Sequence, residues 1–164
     1  MRPRGTGWAV GAVLAAALVQ GIWLPRLAIH GEWPDLATTT ALLVALLFGI
    51  EAGWPAAATA GLALGWTVGL ALPAFVVSRL VGVAAVSPLR VAWRRDSLWA
   101  QMAAVVLGAL VTEACFVVCS PGVLEVGRWL ERVVLRAGLD TLCVPVLVYA
   151  LARLPIPEDT AHHG

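Results

Sequence analysis

Arg79, Glu113 and Asp140 each fall inside or at the edge of a long apolar run. A charge within a membrane-spanning helix costs enough that it is paired, protonated or functional. Glu113 is the deepest of the three. Its residue type allows a protonated acid, an internal pair with Arg79 or Thr112, or a proton-relay or substrate role. A relay needs a series of intramembrane acids, and Asp140 is the only other clear candidate. Motifs for other chemistry are missing: the chain has no GxSxG, no HExxH, no phosphate-binding glycine loop and no lysine for a Schiff base. His30 lies in a connection, and His162 and His163 lie near the C-terminal end. Cys115, Cys119 and Cys143 form no CxxC pair and have no nearby histidine, so inert packing is expected. The residue types predict no catalytic, metal or cofactor site and hence no enzyme.

Two further patterns concern contact rather than reaction. Small residues recur at every fourth position, Gly49, Gly53, Ala57, Gly61, Gly65 and Gly69. On a helix that spacing makes a smooth strip for close backbone approach, used for tight internal packing or for docking a partner helix. In the stretch 123–137, Glu125, Arg128, Arg132 and Arg136 recur at three and four, while Val126, Trp129, Leu130, Val133 and Val134 occupy the other side. This predicts an amphipathic helix lying in the outer membrane interface, with an Arg-lined face that a partner could bind.

The elements that hold these residues follow from composition. Of 164 residues, 60% are hydrophobic and 13% charged, and the mean hydropathy is +0.88. A soluble domain is roughly 45–50% apolar and about 25% charged, so a single membrane domain of helices is expected, because strand edges cannot be satisfied in hydrocarbon. A net charge of +1 without a clustered basic face argues against nucleic acid. All eleven basic residues are arginine, which reads as compositional bias. Dividing the chain by the roughly 20 residues a crossing helix needs predicts spans at 7–24, 36–50, 55–70, 72–87, 98–119 and 139–154, then a disordered cytoplasmic tail at 155–164. Arg2 and Arg4 followed by an apolar stretch resemble a signal peptide, but the later apolar segments favour an uncleaved first span.

Placing both termini in the cytoplasm puts Arg2, Arg4, Arg90, Arg94, Arg95 and Arg153 inside, and Arg26, Arg128, Arg132 and Arg136 outside. Seven of the eight tryptophans fall near span ends or in connections, and Trp66 alone falls within a span.

Three stretches resemble the rod shape-determining protein MreD family. They are Trp33-Pro34-Asp35-Leu36, the run Gly49-Ile50-Glu51-Ala52-Gly53 through Gly61 to Gly69-Leu70, and Asp140-Thr141-Leu142-Cys143-Val144-Pro145 on to Arg153-Leu154. Thr112-Glu113 fits as well. Where the family usually has an Asp shortly after the Gly-Leu pair, this chain has Ala71-Leu72-Pro73. The resemblance implies an all-α integral membrane protein of the bacterial inner membrane. Its fold would be a six-helix transmembrane bundle similar to the substrate-binding subunits of energy-coupling-factor transporters. It implies a non-enzymatic scaffold of the cell-elongation machinery that binds MreC and connects MreB filaments to the wall-synthesising glycosyltransferase and transpeptidase. The alternative is a substrate-binding subunit of a vitamin transporter, with Glu113, Arg79 and Trp66 lining its pocket. The polarity of the outer loops discriminates, since a vitamin binder needs several converging hydrogen-bonding side chains there and this chain has few.

Overall fold

Asp35 starts the central helix of the protein. Its carboxylate accepts the Thr38 N–H at 3.0 Å and the Thr38 hydroxyl at 2.6 Å, an N-cap that satisfies a donor the first helical turn would otherwise leave open. The computed structural model describes residues 6–29, 31–69, 71–92, 97–120 and 126–154. Among them are the long helices α1 (Gly7–Ile22), α2 (Leu36–Phe48), α3 (Ile50–Val68), α4 (Leu72–Val86), α6 (Leu98–Cys119) and α7 (Val126–Ala152), and a single helical turn, α5 (Leu89–Ala92). A short 3-10 turn, Leu24–Leu27, follows α1, and a lone β-bridge joins Ile29 to Glu32.

Helix α2 is the hub. It is apolar on every side, every residue from Leu36 to Leu46 is buried, and it packs against α1, α3, α4, α6 and α7. A helix that is hydrophobic all round belongs inside a bundle. At 1.5 Å per residue its length is about 20 Å, well short of the roughly 30 Å of hydrocarbon. Among the described residues, three segments are long and apolar enough to cross a membrane: Gly7–Arg26, Leu98–Cys119 and Trp129–Ala152. Helices α2 and α4 are apolar but shorter. The outward faces of the long helices are apolar: Leu18, Ile22, Val118, Leu142, Val146 and Tyr149 are all exposed.

Contacts along the helices fix their directions. Gly53 of α3 faces Ala45 and Val83, Gly61 faces Val76, and Gly65 faces Leu72, so α3 and α4 run antiparallel. Gly82 of α4 faces Thr112, and Gly108 faces Val86 and Leu42, so α4 and α6 are antiparallel too. The start of α2, the start of α4 and the end of α6 therefore share one end of the bundle.

Two boundaries depart from the sequence reading. Helix α3 begins at Ile50 rather than Pro55. Gly49 breaks the chain with φ 101° and ψ 172°, a conformation open essentially to glycine, and Pro55 lies inside the helix that follows. The segment 126–137 is not a separate interfacial helix but the first part of α7, which continues without a break to Ala152. Gly138 at the junction costs about 1 kcal/mol relative to Ala, and Pro145 also lies inside the helix. Residues 123–125, the tail 155–164 and the cluster Arg94–Asp96 lie outside the described residues.

The glycine strip is consumed internally. A β-carbon on Gly61 would lie 2.5 Å from the Val76 Cα and 2.9 Å from the Phe75 carbonyl oxygen; one on Gly53 would lie 2.6 Å from the Ala45 Cβ. The open docking groove, one of the two uses its spacing allows, is thus closed by α4 and α2. Gly69 ends α3 in the left-handed region at φ 72°, and Ala71 precedes α4 at φ 53°, where an L-residue with a β-carbon is strained.

Candidate functional site

At the shared end of the bundle, four helices bring charged side chains together. Asp35 precedes α2, Arg79 lies two turns into α4, Glu113 lies two turns before the end of α6, and Arg136 and Asp140 stand one turn apart on α7. With a rise of 1.5 Å per residue, Arg79 and Glu113 sit about 10 Å below their helix ends. That places them at one depth in neighbouring antiparallel helices.

Arg79 is 2% exposed. Its Nη2 approaches Asp35 Oδ2 at 3.3 Å and Glu113 Oε1 at 3.9 Å. Its Nε donates to the Thr38 hydroxyl at 3.3 Å and its Nη1 to Ser78 Oγ at 2.9 Å. The guanidinium also stacks 4.8 Å from the centre of the Phe75 ring. Arg136 makes a parallel bridge, with Nη2 3.5 Å from Asp35 Oδ2 and Nη1 3.7 Å from Glu113 Oε1. Two guanidiniums thus clamp the same two carboxylates. Burial pushes the Asp35 carboxyl up, but Arg136 and Arg79, together with the Thr38 hydrogen bonds, outweigh it and hold Asp35 below the usual carboxylate range.

The buried start of α2 explains why further polar residues join. The Asp35 N–H donates to Asp140 Oδ1 at 2.6 Å, and the Ala37 N–H donates to the Gln20 amide oxygen of α1 at 3.1 Å. With Thr38 bonded to Asp35, successive amides at this helix start find acceptors without water, as burial demands. Gln20 and Asp140 are therefore parts of the helix cap, contributed from positions far away in the chain.

Beside the cluster lies a cavity of about 140 Å³, lined by Glu32, Phe75, Arg79, Glu113, Phe116, Trp129, Arg132, Val133 and Arg136. Arg132 Nε pairs with Glu32 Oε1 at 3.5 Å, and Arg132 is 55% exposed.

Arg79, Glu113 and Asp140, singled out by their placement in apolar runs, all belong to this one network. The sequence left Glu113 three states; here it is ion-paired with Arg79 and Arg136. Trp129 and Arg132, expected on an outer partner-binding face, instead line the cavity. The side chain of Arg128 lies outside the described residues. Trp66 does not join Arg79 and Glu113: it is 84% exposed and borders an apolar groove between α1 and α3. Sequence reading missed Asp35, treated as a connection, and Arg136, treated as outward-facing. The signal that could have found them is Asp35 at an N-cap position before an apolar run, and Arg136 four residues before Asp140, spaced for one helix face.

Chemically the cluster is a network in which Asp35 and Glu113 each face Arg79 and Arg136, and Asp140 accepts the Asp35 N–H. Removing one partner of a buried pair leaves an uncompensated charge, at a cost of about 3–5 kcal/mol. Among the described residues, no group of His, Cys, Asp and Glu is placed to hold a metal ion, and the three cysteines are free. No family model matches the chain, and neither a curated protein nor a solved structure matches it.

Proposed function

We propose that the chain is a non-enzymatic membrane scaffold of the MreD type, crossing the bacterial inner membrane six times with both termini in the cytoplasm. In that role it binds MreC within the membrane and couples MreB filaments to the glycosyltransferase and transpeptidase that elongate the wall. One observation carries the reading. Two of the stretches that resemble the family, 105 positions apart, meet where the Asp35 N–H donates to Asp140, so the resembling residues form one structural unit. The antiparallel order of α3, α4 and α6 also supports alternate crossings, and α2 can be shorter than the bilayer because its neighbours bury it.

A substrate-binding transporter subunit is the second reading, favoured by the cavity of about 140 Å³ beside Glu113 and Arg79. Sites for drug-sized ligands occupy roughly 300–1,000 Å³. A drug-sized ligand therefore exceeds this space, and the scaffold reading stands first.

Co-expression with MreC from the same cell, followed by purification in mild detergent, tests the choice. A stable complex that survives size-exclusion chromatography is the expected result. Failure to form any complex from membranes in which both proteins are present and folded, with a vitamin retained through purification, would overturn it in favour of the transporter subunit.

A further inference from the structure

Inside the charge cluster, between α2, α6 and α7, lies a second and much smaller space of about 10 Å³, lined on its polar side by Asp35, Thr38, Thr112, Glu113, Arg136 and Asp140. Several of these groups are already bonded. The Thr38 hydroxyl donates to Asp35 and accepts from Arg79, Asp140 Oδ1 accepts the Asp35 N–H, and the two Nη atoms of Arg136 face Asp35 and Glu113. Two atoms of the lining residues are not: Thr112 Oγ1 and Arg136 Nε are buried and meet no partner among the described residues. Thr112 is 1% exposed, and the α4 residue against it, Gly82, has no side chain that could bond its hydroxyl. A buried hydroxyl or guanidinium N–H without a partner is costly, and native interiors supply one.

Charge and size together name the occupant. The carboxylates of Asp35, Glu113 and Asp140 line the space and repel an anion. Arg136 disfavours a cation, since an N–H that needs an acceptor finds none in a metal ion. What remains is a neutral species that both donates and accepts, and about 10 Å³ admits a single water, whose minimum is roughly 10–15 Å³. We propose that one water is bound here, accepting from Arg136 Nε, sharing a hydrogen bond with Thr112 Oγ1 and donating to a carboxylate oxygen of Asp140 or Glu113. About three partners is the usual number for a buried water. It joins α6 to α7 beside the cap of α2, so the four-helix meeting point is held by a bound solvent molecule as well as by ion pairs. The site is independent of whether the chain binds MreC, because every group that holds the water belongs to this chain.

The full chain, purified in a mild detergent, serves as the test, and two readouts are taken. With arginine labelled in nitrogen-15 and the Arg136 Nε–H assigned through its own backbone, wild type should show a rotating-frame Overhauser cross-peak between that proton and water. Thr112→Val keeps the shape of the side chain and removes the hydroxyl, so the sign of its effect on the thermal midpoint is diagnostic. A hydroxyl without any partner is better replaced, and the midpoint would rise. A hydroxyl that holds the water is missed, and the midpoint should fall by about 2–4 °C. The proposal is overturned if wild type shows no cross-peak, or if Thr112→Val melts at or above the wild-type midpoint. It is equally overturned if sodium, exchanged for choline at constant ionic strength, raises the midpoint of wild type but not of Thr112→Val, which would put a cation in the space.

Discussion

Gly61→Ala tests whether the glycine strip is interior. The added methyl would lie 2.5 Å from the Val76 Cα, 2.9 Å from the Phe75 carbonyl oxygen and 2.9 Å from the Val76 nitrogen. All three are backbone atoms of α4, so no rotamer change relieves the contact. Carbon atoms attract best at about 3.5–4.0 Å, so α3 and α4 must separate by roughly 1 Å. Helices in lipid are held by close packing rather than by the hydrophobic effect, and forced overpacking costs about 1–3 kcal/mol. For a chain of this size that loss lowers the thermal midpoint by roughly 2–12 °C. Gly65→Ala meets Leu72 at 3.0–3.3 Å, partly through a flexible side chain, and should lose about half as much. Leu62→Ala, on the half-exposed opposite face, is the control and should change the midpoint little. Circular dichroism during heating in detergent, with size-exclusion profiles before and after, provides the readout. If Gly61→Ala melts with wild type while losing a bound partner, the strip is an open docking surface and the packing argument fails.

Three further outcomes follow from the same contacts. Arg79→Met should destabilise by about 3–5 kcal/mol because Asp35 and Glu113 lose a shared partner. Adding Asp35→Asn should cost much less than the sum of the single changes, and strict additivity in chemical denaturation would show that the two side chains are not coupled. Ala71→Asn should raise stability by roughly 0.5–1 kcal/mol, since Asn tolerates the left-handed conformation that penalises Ala; an unchanged or lower midpoint would mean the φ of 53° carries no strain. On a background with the three native cysteines replaced, Ser87→Cys should react with an impermeant thiol reagent only from the cytoplasmic side, and labelling from outside would reverse the six-span arrangement.

The helix starts at Leu36, Leu72 and Leu98 were legible in the sequence because local signals mark them: Asp35 and Ser97 as caps and Pro73 in a first turn. The start of α3 was not. Pro55 follows Gly53 in a pattern that usually opens a helix, whereas the break depends on the backbone angle of Gly49, which hydropathy does not encode. The continuity of α7 was hidden for a related reason. Its charged first half and apolar second half read as two elements, yet their solvent preferences differ only because the helix passes from the rim of the bundle to its side. As for the site, an expensive charge announces itself in an apolar run, so Glu113 and Arg79 could be named. Their partners Asp35 and Arg136 show locally only as a cap and as a residue one turn before Asp140, and the pairing itself, 44 positions apart for Asp35 and Arg79, is decided by how α2, α4, α6 and α7 assemble.

The distribution of the buried charges along the chain bears on biosynthesis. Helices emerge in order, and an arginine at the centre of an isolated segment costs about 2.5–3.5 kcal/mol to insert. Asp35 and Arg79 both belong to the part of the chain made first, and Glu113 and Arg136 both belong to the part made last. Each half can thus enter the bilayer as a self-neutralised hairpin assembly, with its arginine already matched to an acid of its own. The cross-pairs from Arg79 to Glu113 and from Arg136 to Asp35 form only when the halves close on each other. Closing the halves thus adds partners while the first pairs are kept, and a chain made only through α4 already holds Arg79 against Asp35 rather than stranded in lipid.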